Sequence, residues 1–144
     1  MQDIQTSVAK LYQSLVNTRG TSYSEALAID RASKALSQDI DTANSDAGDL
    51  SSLTVAQTKN LLSILGNTYT NVSGSTQRLI DLQPAFTKLG VAGLAKNDIA
   101  QMSTSTRNFG ATLVSKAASS QKSSASSLAG QYNAALASAA AAYA

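Results

Sequence analysis

The stretch DIAQMSTSTRNFGATLV, residues 98–114, decides the fold. Ile99, Met102, Thr106, Phe109 and Leu113 recur at steps of three and four residues, the spacing that aligns side chains on one face of an α-helix. Small or polar residues, serine and threonine foremost, fill most of the other positions. One face is therefore built to be buried, and the rest is hydroxyl-rich and solvated.

Similar faces recur in both directions from this segment. Ile4, Val8, Leu11 and Leu15 have helical spacing in a helix expected over residues 3–17, with Asp3 placed to favour its positive end. "TRGTS" then breaks the chain at Gly20. A second helix begins near Ser22 or Ser24, carries Ile29, Ala32, Leu36, Ile40 and Ala43, and fades by Gly48. Thr54 and Gln57 have the spacing of a capping box and start a third helix through Leu61, Leu65, Tyr69, Val72, Thr76 and Leu79. Pro84 predicts a kink, with Gly90 closing the segment. The fourth helix spans about residues 91–118. A fifth, over about 120–143, puts Leu128, Tyr132, Leu136 and Ala139 on one stripe and is expected to fray from about residue 139. None of these faces is stable alone, so the predicted fold is all-α: one domain over residues 1–144, an antiparallel bundle of about five helices.

Composition narrows the function. A chain of 144 residues can close one core without cross-links or metal, and it has no cysteine. It also has no histidine, which removes the usual general base, the histidine-dependent triads and the commonest zinc ligand. Enzymatic activity is not expected, and no cofactor is. The eleven Lys and Arg residues are spread thinly against nine Asp and Glu, so no basic stripe for nucleic acid forms. No apolar run is long enough to span a membrane, and no signal peptide pattern is visible. Solubility carried by hydroxyls rather than charges is common among secreted and wall-associated glycoproteins.

Several motifs have two readings. Asp39, Asp41, Asp46 and Asp49 lie close together, but no register gives the ligands of a calcium loop, so they read as a solvated helix end and loop. Asn71-Val72-Ser73 fits the N-glycosylation pattern, inside a predicted helix. The hydroxyls of Thr106, Ser33 and Ser37 either bond their own backbone or face a buried polar ligand group. Small inward residues such as Ala32, Ala43 and Thr106 make the bundle either narrow or hollow along its axis.

Residues 83–117 add a resemblance. Ala85-Phe86, the glycine turn at Gly90, Asp98 followed by the ladder Ile99, Met102, Thr106, Phe109 and Leu113, and the late Lys116 occur in the order seen in the fungal hydrophobic surface-binding protein A family, also called cell-wall galactomannoproteins. "DIQTSVAKLYQSL" and "EALAIDRASKALSQDIDTA" resemble the family's first two helices. The resemblance implies a secreted, extracellular or cell-wall helical protein that encloses a long-chain fatty acid or similar lipid in a tunnel. The expected lining is Leu36, Ile40, Leu65, Tyr69, Phe86, Ile99, Met102, Thr106, Phe109 and Leu113, with Ser33, Ser37 and Thr106 as candidates to hold the carboxylate. Two other readings stay open: an adhesive or structural coat for hydrophobic surfaces, and a helical protein-interaction module.

Overall fold

The computed structural model describes residues 2–18 and 22–144, with side chains from Ile4 onward. The expected break at Gly20 and the role of the Asp3 side chain lie outside the described residues. Five α-helices account for nearly all of the rest: α1 (Gln2–Asn17), α2 (Tyr23–Gly48), α3 (Val55–Leu89), α4 (Ala92–Lys116) and α5 (Lys122–Ala142), with a 3-10 turn at Ser119–Gln121 before α5.

The helix ends follow local chemistry. Ser22 caps α2, its side chain accepting from the Glu25 amide. At the start of α3, the Gln57 amide donates to Thr54 Oγ1 at 3.1 Å and the Thr54 amide donates to Gln57 Oε1 at 3.0 Å, completing the capping box. Gly90 takes the left-handed conformation (φ 82°) that ends α3, and the Val91 amide donates back to the Phe86 carbonyl at 3.0 Å. Pro84 lies inside α3 without ending it. It has no amide hydrogen for the carbonyl of Ile80, so it interrupts one hydrogen bond of the ladder. One residue earlier, the carbonyl of Leu79 accepts from the Tyr143 hydroxyl at 2.7 Å.

Contacts between helices close a ring in the order α1, α2, α4, α5, α3 and back to α1. Consecutive helices run antiparallel: Ser7 on α1 donates to Asp39 on α2, and Lys122 at the start of α5 reaches the carbonyls of Val114 and Ser115 at the end of α4. An odd-numbered ring cannot alternate throughout. Its parallel seams pair α3 with α5, where Tyr132 meets Leu65 and Tyr143 meets Leu79, and α2 with α4, where Asp30 meets Asp98. The third joins α1 to α3, where Gly74 lets the Tyr12 ring approach so closely that an added Cβ would stand 2.7 Å from it.

The carboxyl end corrects one expectation. Residues from 139 onward are not frayed: α5 continues to Ala142, Ala139 is fully buried and Tyr143 is buried with its hydroxyl bonded to α3. A phenol with an apolar body and a bonded tip docks an alanine-rich helix that propensity alone would leave loose.

Arg78 ties α1 to α3. Its Nε donates to the Leu15 carbonyl at 3.0 Å and its Nη2 to the Thr18 carbonyl at 2.6 Å, where a helix end is partially negative. Arg78→Met keeps the stem and removes both bonds. Thermal denaturation is expected to show a loss of about 1.5–3 kcal/mol, the range for hydrogen bonds from a charged group.

Candidate functional site

A closed ring of five helices has a centre that a four-helix bundle lacks. With neighbours about 9 Å apart, each axis stands about 8 Å from the middle and leaves an opening about 3 Å in radius, to be filled by side chains or by something else. The small residues facing the axis decide how fully it is filled.

Two apolar cavities lie on this axis, each of about 40 Å³ and each lined by residues of all five helices. The first lies toward the ends of α2 and α4, between Ile40, Leu65, Phe109, Leu113, Leu128 and Ala129. The second occupies the middle, between Val8, Leu11, Leu36, Val72, Met102 and Leu136. Ile4, Ile40, Thr106 and Tyr132 belong to both walls. Each cavity is the size of a few water molecules and nearly devoid of polar lining, the setting in which a void stays dry.

Among the residues nominated from sequence, Leu36, Ile40, Leu65, Met102, Thr106, Phe109 and Leu113 line the axial cavities. Tyr69 does not, but its ring lies 5.3 Å from that of Tyr132 and backs the wall. Ile99 is buried in solid core. Phe86 lies in a separate cavity of about 10 Å³ between Ala26, Ile29, Val91 and Asp98. Ser33 and Ser37 are buried on the side of α2 that meets α4, away from both axial cavities; helical spacing puts them with Asp30 rather than with Leu36 and Ile40. Asn71 is half-buried in mid-α3, in regular helix rather than a loop.

The hydroxyls divide clearly. Thr104 and Thr112 donate to the carbonyls four residues back, each at 3.1 Å. Thr106 makes no such bond and lies on the walls of both cavities. Ser75, which nothing in the sequence singled out, lines the middle cavity with its Oγ buried and without a partner. The α1 residues Ile4, Val8 and Leu11 were legible as a helix face, yet nothing in their spacing showed that the face lines a cavity. Tyr132 and Tyr143 have their ionisation pushed up by burial, so both phenols stay protonated and donate.

Between α2 and α4 lies a buried carboxyl pair. Burial, a hydrogen bond with Asp30 and the charge of Asp30 push Asp98 up to about 8. Burial also pushes Asp30 up, but hydrogen bonds from Asp98 and Lys34 and the nearby Arg31 outweigh it and hold its carboxyl below the usual range. Lys34 Nζ donates to Asp30 Oδ2 at 3.0 Å, while Oδ1 has no other donor. A proton kept on Asp98 and shared with Asp30 would give that oxygen its donor. Asp39, from the acidic segment 39–49, is half-buried and accepts from Ser7, and among the described residues no cluster of acids has the geometry to hold a metal ion.

Several solved structures share this architecture. Afmp4p in complex with palmitic acid superposes with a TM-score of 0.92 at 24% identity, over 99% of this chain and 94% of that one. Ligand binding domain 1 of the Penicillium marneffei MP1 protein, complexed with arachidonic acids, gives 0.92 at 14% identity over 99% and 93%. Domain 2 of the same protein, complexed with multiple arachidonic acids, gives 0.91 at 16% over 99% and 90%. No curated protein matches the sequence. The family model described as hydrophobic surface binding protein A matches residues 1–115, four of the five helices, and so covers all but the last two residues of the segment 83–117 on which the sequence resemblance rests. The chain belongs to the hydrophobic surface binding protein A family.

Proposed function

We propose that the protein is a secreted or cell-wall, non-catalytic lipid carrier that encloses the acyl tail of a long-chain fatty acid along the axis of its helical ring. The observation that carries this reading is the pair of dry, apolar cavities to which every helix contributes. Structures of the same fold contain palmitic and arachidonic acids, which supports it. Burying a methylene is worth about 0.8 kcal/mol, so ten enclosed methylenes offer about 8 kcal/mol before the losses of association are subtracted. Micromolar binding then needs no charged anchor. Thr106 and Ser75 are the hydroxyls free to meet a polar head group on the axis.

Cavities of about 40 Å³ do not hold a long tail as they stand, so binding must spread the side chains around them. The exterior offers less. Large exposed apolar residues among those described are Val16, Tyr23, Leu50 and Val55, at helix ends rather than in one patch. Adhesion to an apolar surface would therefore also draw on the interior.

Isothermal titration with palmitate is expected to show saturable binding at micromolar or lower concentration. Met102→Lys places a charge in the middle cavity and is expected to weaken binding at least about 100-fold, because an unpaired buried ammonium is disfavoured by several kcal/mol. Circular dichroism of the variant establishes that it remains helical. Absence of saturable binding by the wild-type protein would remove the carrier reading.

A further inference from the structure

The two axial cavities are separated by a waist, and the residues of that waist come from different helices. Ile4 on α1, Ile40 on α2, Thr106 on α4 and Tyr132 on α5 line both cavities, so they stand where one ends and the other begins. α3 closes the ring at the same level: Tyr69 lies between Leu65, on the first cavity, and Val72, on the second, with its ring against Tyr132. We propose that this waist sets the acyl chain length the protein selects. The proposal rests on the carrier reading above and adds which residues determine specificity.

The members of the waist are not equally movable. Tyr132 is held on one side by Tyr69 and at its tip by the bond to the Leu65 carbonyl, so its ring is the fixed jaw. Ile4 and Ile40 are buried aliphatic side chains with voids on either side to turn into, and Thr106 is the smallest side chain of the four. Residues 106–113 of α4 line the first compartment and residues 72–79 of α3 the second, each run rising about 10 Å. Carbon–carbon bonds of about 1.5 Å at near-tetrahedral angles advance an extended chain about 1.25 Å per carbon, so each compartment matches about eight carbons. A chain of about sixteen carbons must thread the waist to bury its whole length.

The test is the length dependence of affinity for saturated fatty acids from eight to twenty carbons, measured below their micelle concentrations by displacement of a fluorescent acyl probe. For the wild-type protein, affinity is expected to rise about fourfold per added carbon until about sixteen and then level. Thr106→Leu narrows the waist from α4 and is expected to level near eight carbons, its affinity for the shortest acid staying within about threefold of that of Thr106→Val, which lacks the same hydroxyl. Ile4→Phe narrows the same point from α1 and should produce the same early plateau if the first variant folds poorly. Thr106→Val keeps the width and removes the hydroxyl, so it should shift all affinities together and keep the plateau at about sixteen. A wild-type profile that rises to sixteen carbons and is unchanged in position by both narrowing variants would overturn the waist while leaving the carrier reading intact. Failure of the wild-type protein to bind any acid would overturn both.

Discussion

Phe86→Ala is expected to destabilise the protein by about 3–5 kcal/mol while leaving palmitate affinity of the folded protein within about twofold of wild type. Phe86 is 2% exposed and packs beyond Pro84, beside the Gly90 turn that reverses the chain into α4. Truncating it enlarges a cavity of about 10 Å³ that already lies under the turn, and the close-packed surroundings of Ile29, Val91 and Ala95 can fill the space only partly. Yet this cavity is separate from the axis and shares no lining residue with either axial compartment. Denaturant unfolding and palmitate titration of the same sample separate the two effects. A large loss of affinity with little loss of stability would put Phe86 in the ligand site, as the sequence alone suggested.

The second large effect comes from Asp98. Its folded pKa of about 8 lies above its unfolded value of 3.8, so between these pH values the native protein keeps a proton that the unfolded chain releases. Stability should therefore be greatest on the acid side and fall as pH rises through about 4 to 8, with a slope of at most about 1.4 kcal/mol per pH unit, levelling above that window. Asp30 acts in the opposite sense: its lowered pKa contributes stability that is lost as pH falls below the usual carboxylate range. Lys34 and Arg31 on α2 are the cations that act on the pair. Asp98→Asn mimics the protonated acid and is expected to remove most of the slope, raising the melting temperature at pH 8 relative to wild type by about 5 °C or more. Melting curves from pH 4 to 9 for both proteins give the difference directly. Parallel pH profiles for the two would show that the carboxyls do not share a proton.

Much of the architecture was legible because helix signals are local. The ladder from Ile99 to Leu113, the Thr54–Gln57 box and the Gly90 stop each depend on residues within a turn or two of one another, and each appears where the spacing put it. What was not legible depends on which face of each helix meets which partner. Thr106 and Ser37 look alike in sequence, as hydroxyls at the edge of an apolar stripe. In the ring one lies on the axis and the other in the seam between α2 and α4. Asp98 read only as the aspartate before the ladder, and its partner Asp30 lies on α2, with all of α3 between them in sequence. The docking of Tyr143 was hidden for the same reason. Alanine-rich composition predicts a loose end, and only the distant Leu79 carbonyl supplies the bond that holds it.

A crystal structure of the protein with palmitate bound tests the axial channel most directly. One acyl chain is expected along the centre of the ring, touching Met102 on one side of the waist and Phe109 on the other, with the two cavities merged and Ile4 or Ile40 turned aside. Palmitate found only on the outer surface, with Ile4, Ile40, Thr106 and Tyr132 still closing the axis, would contradict it.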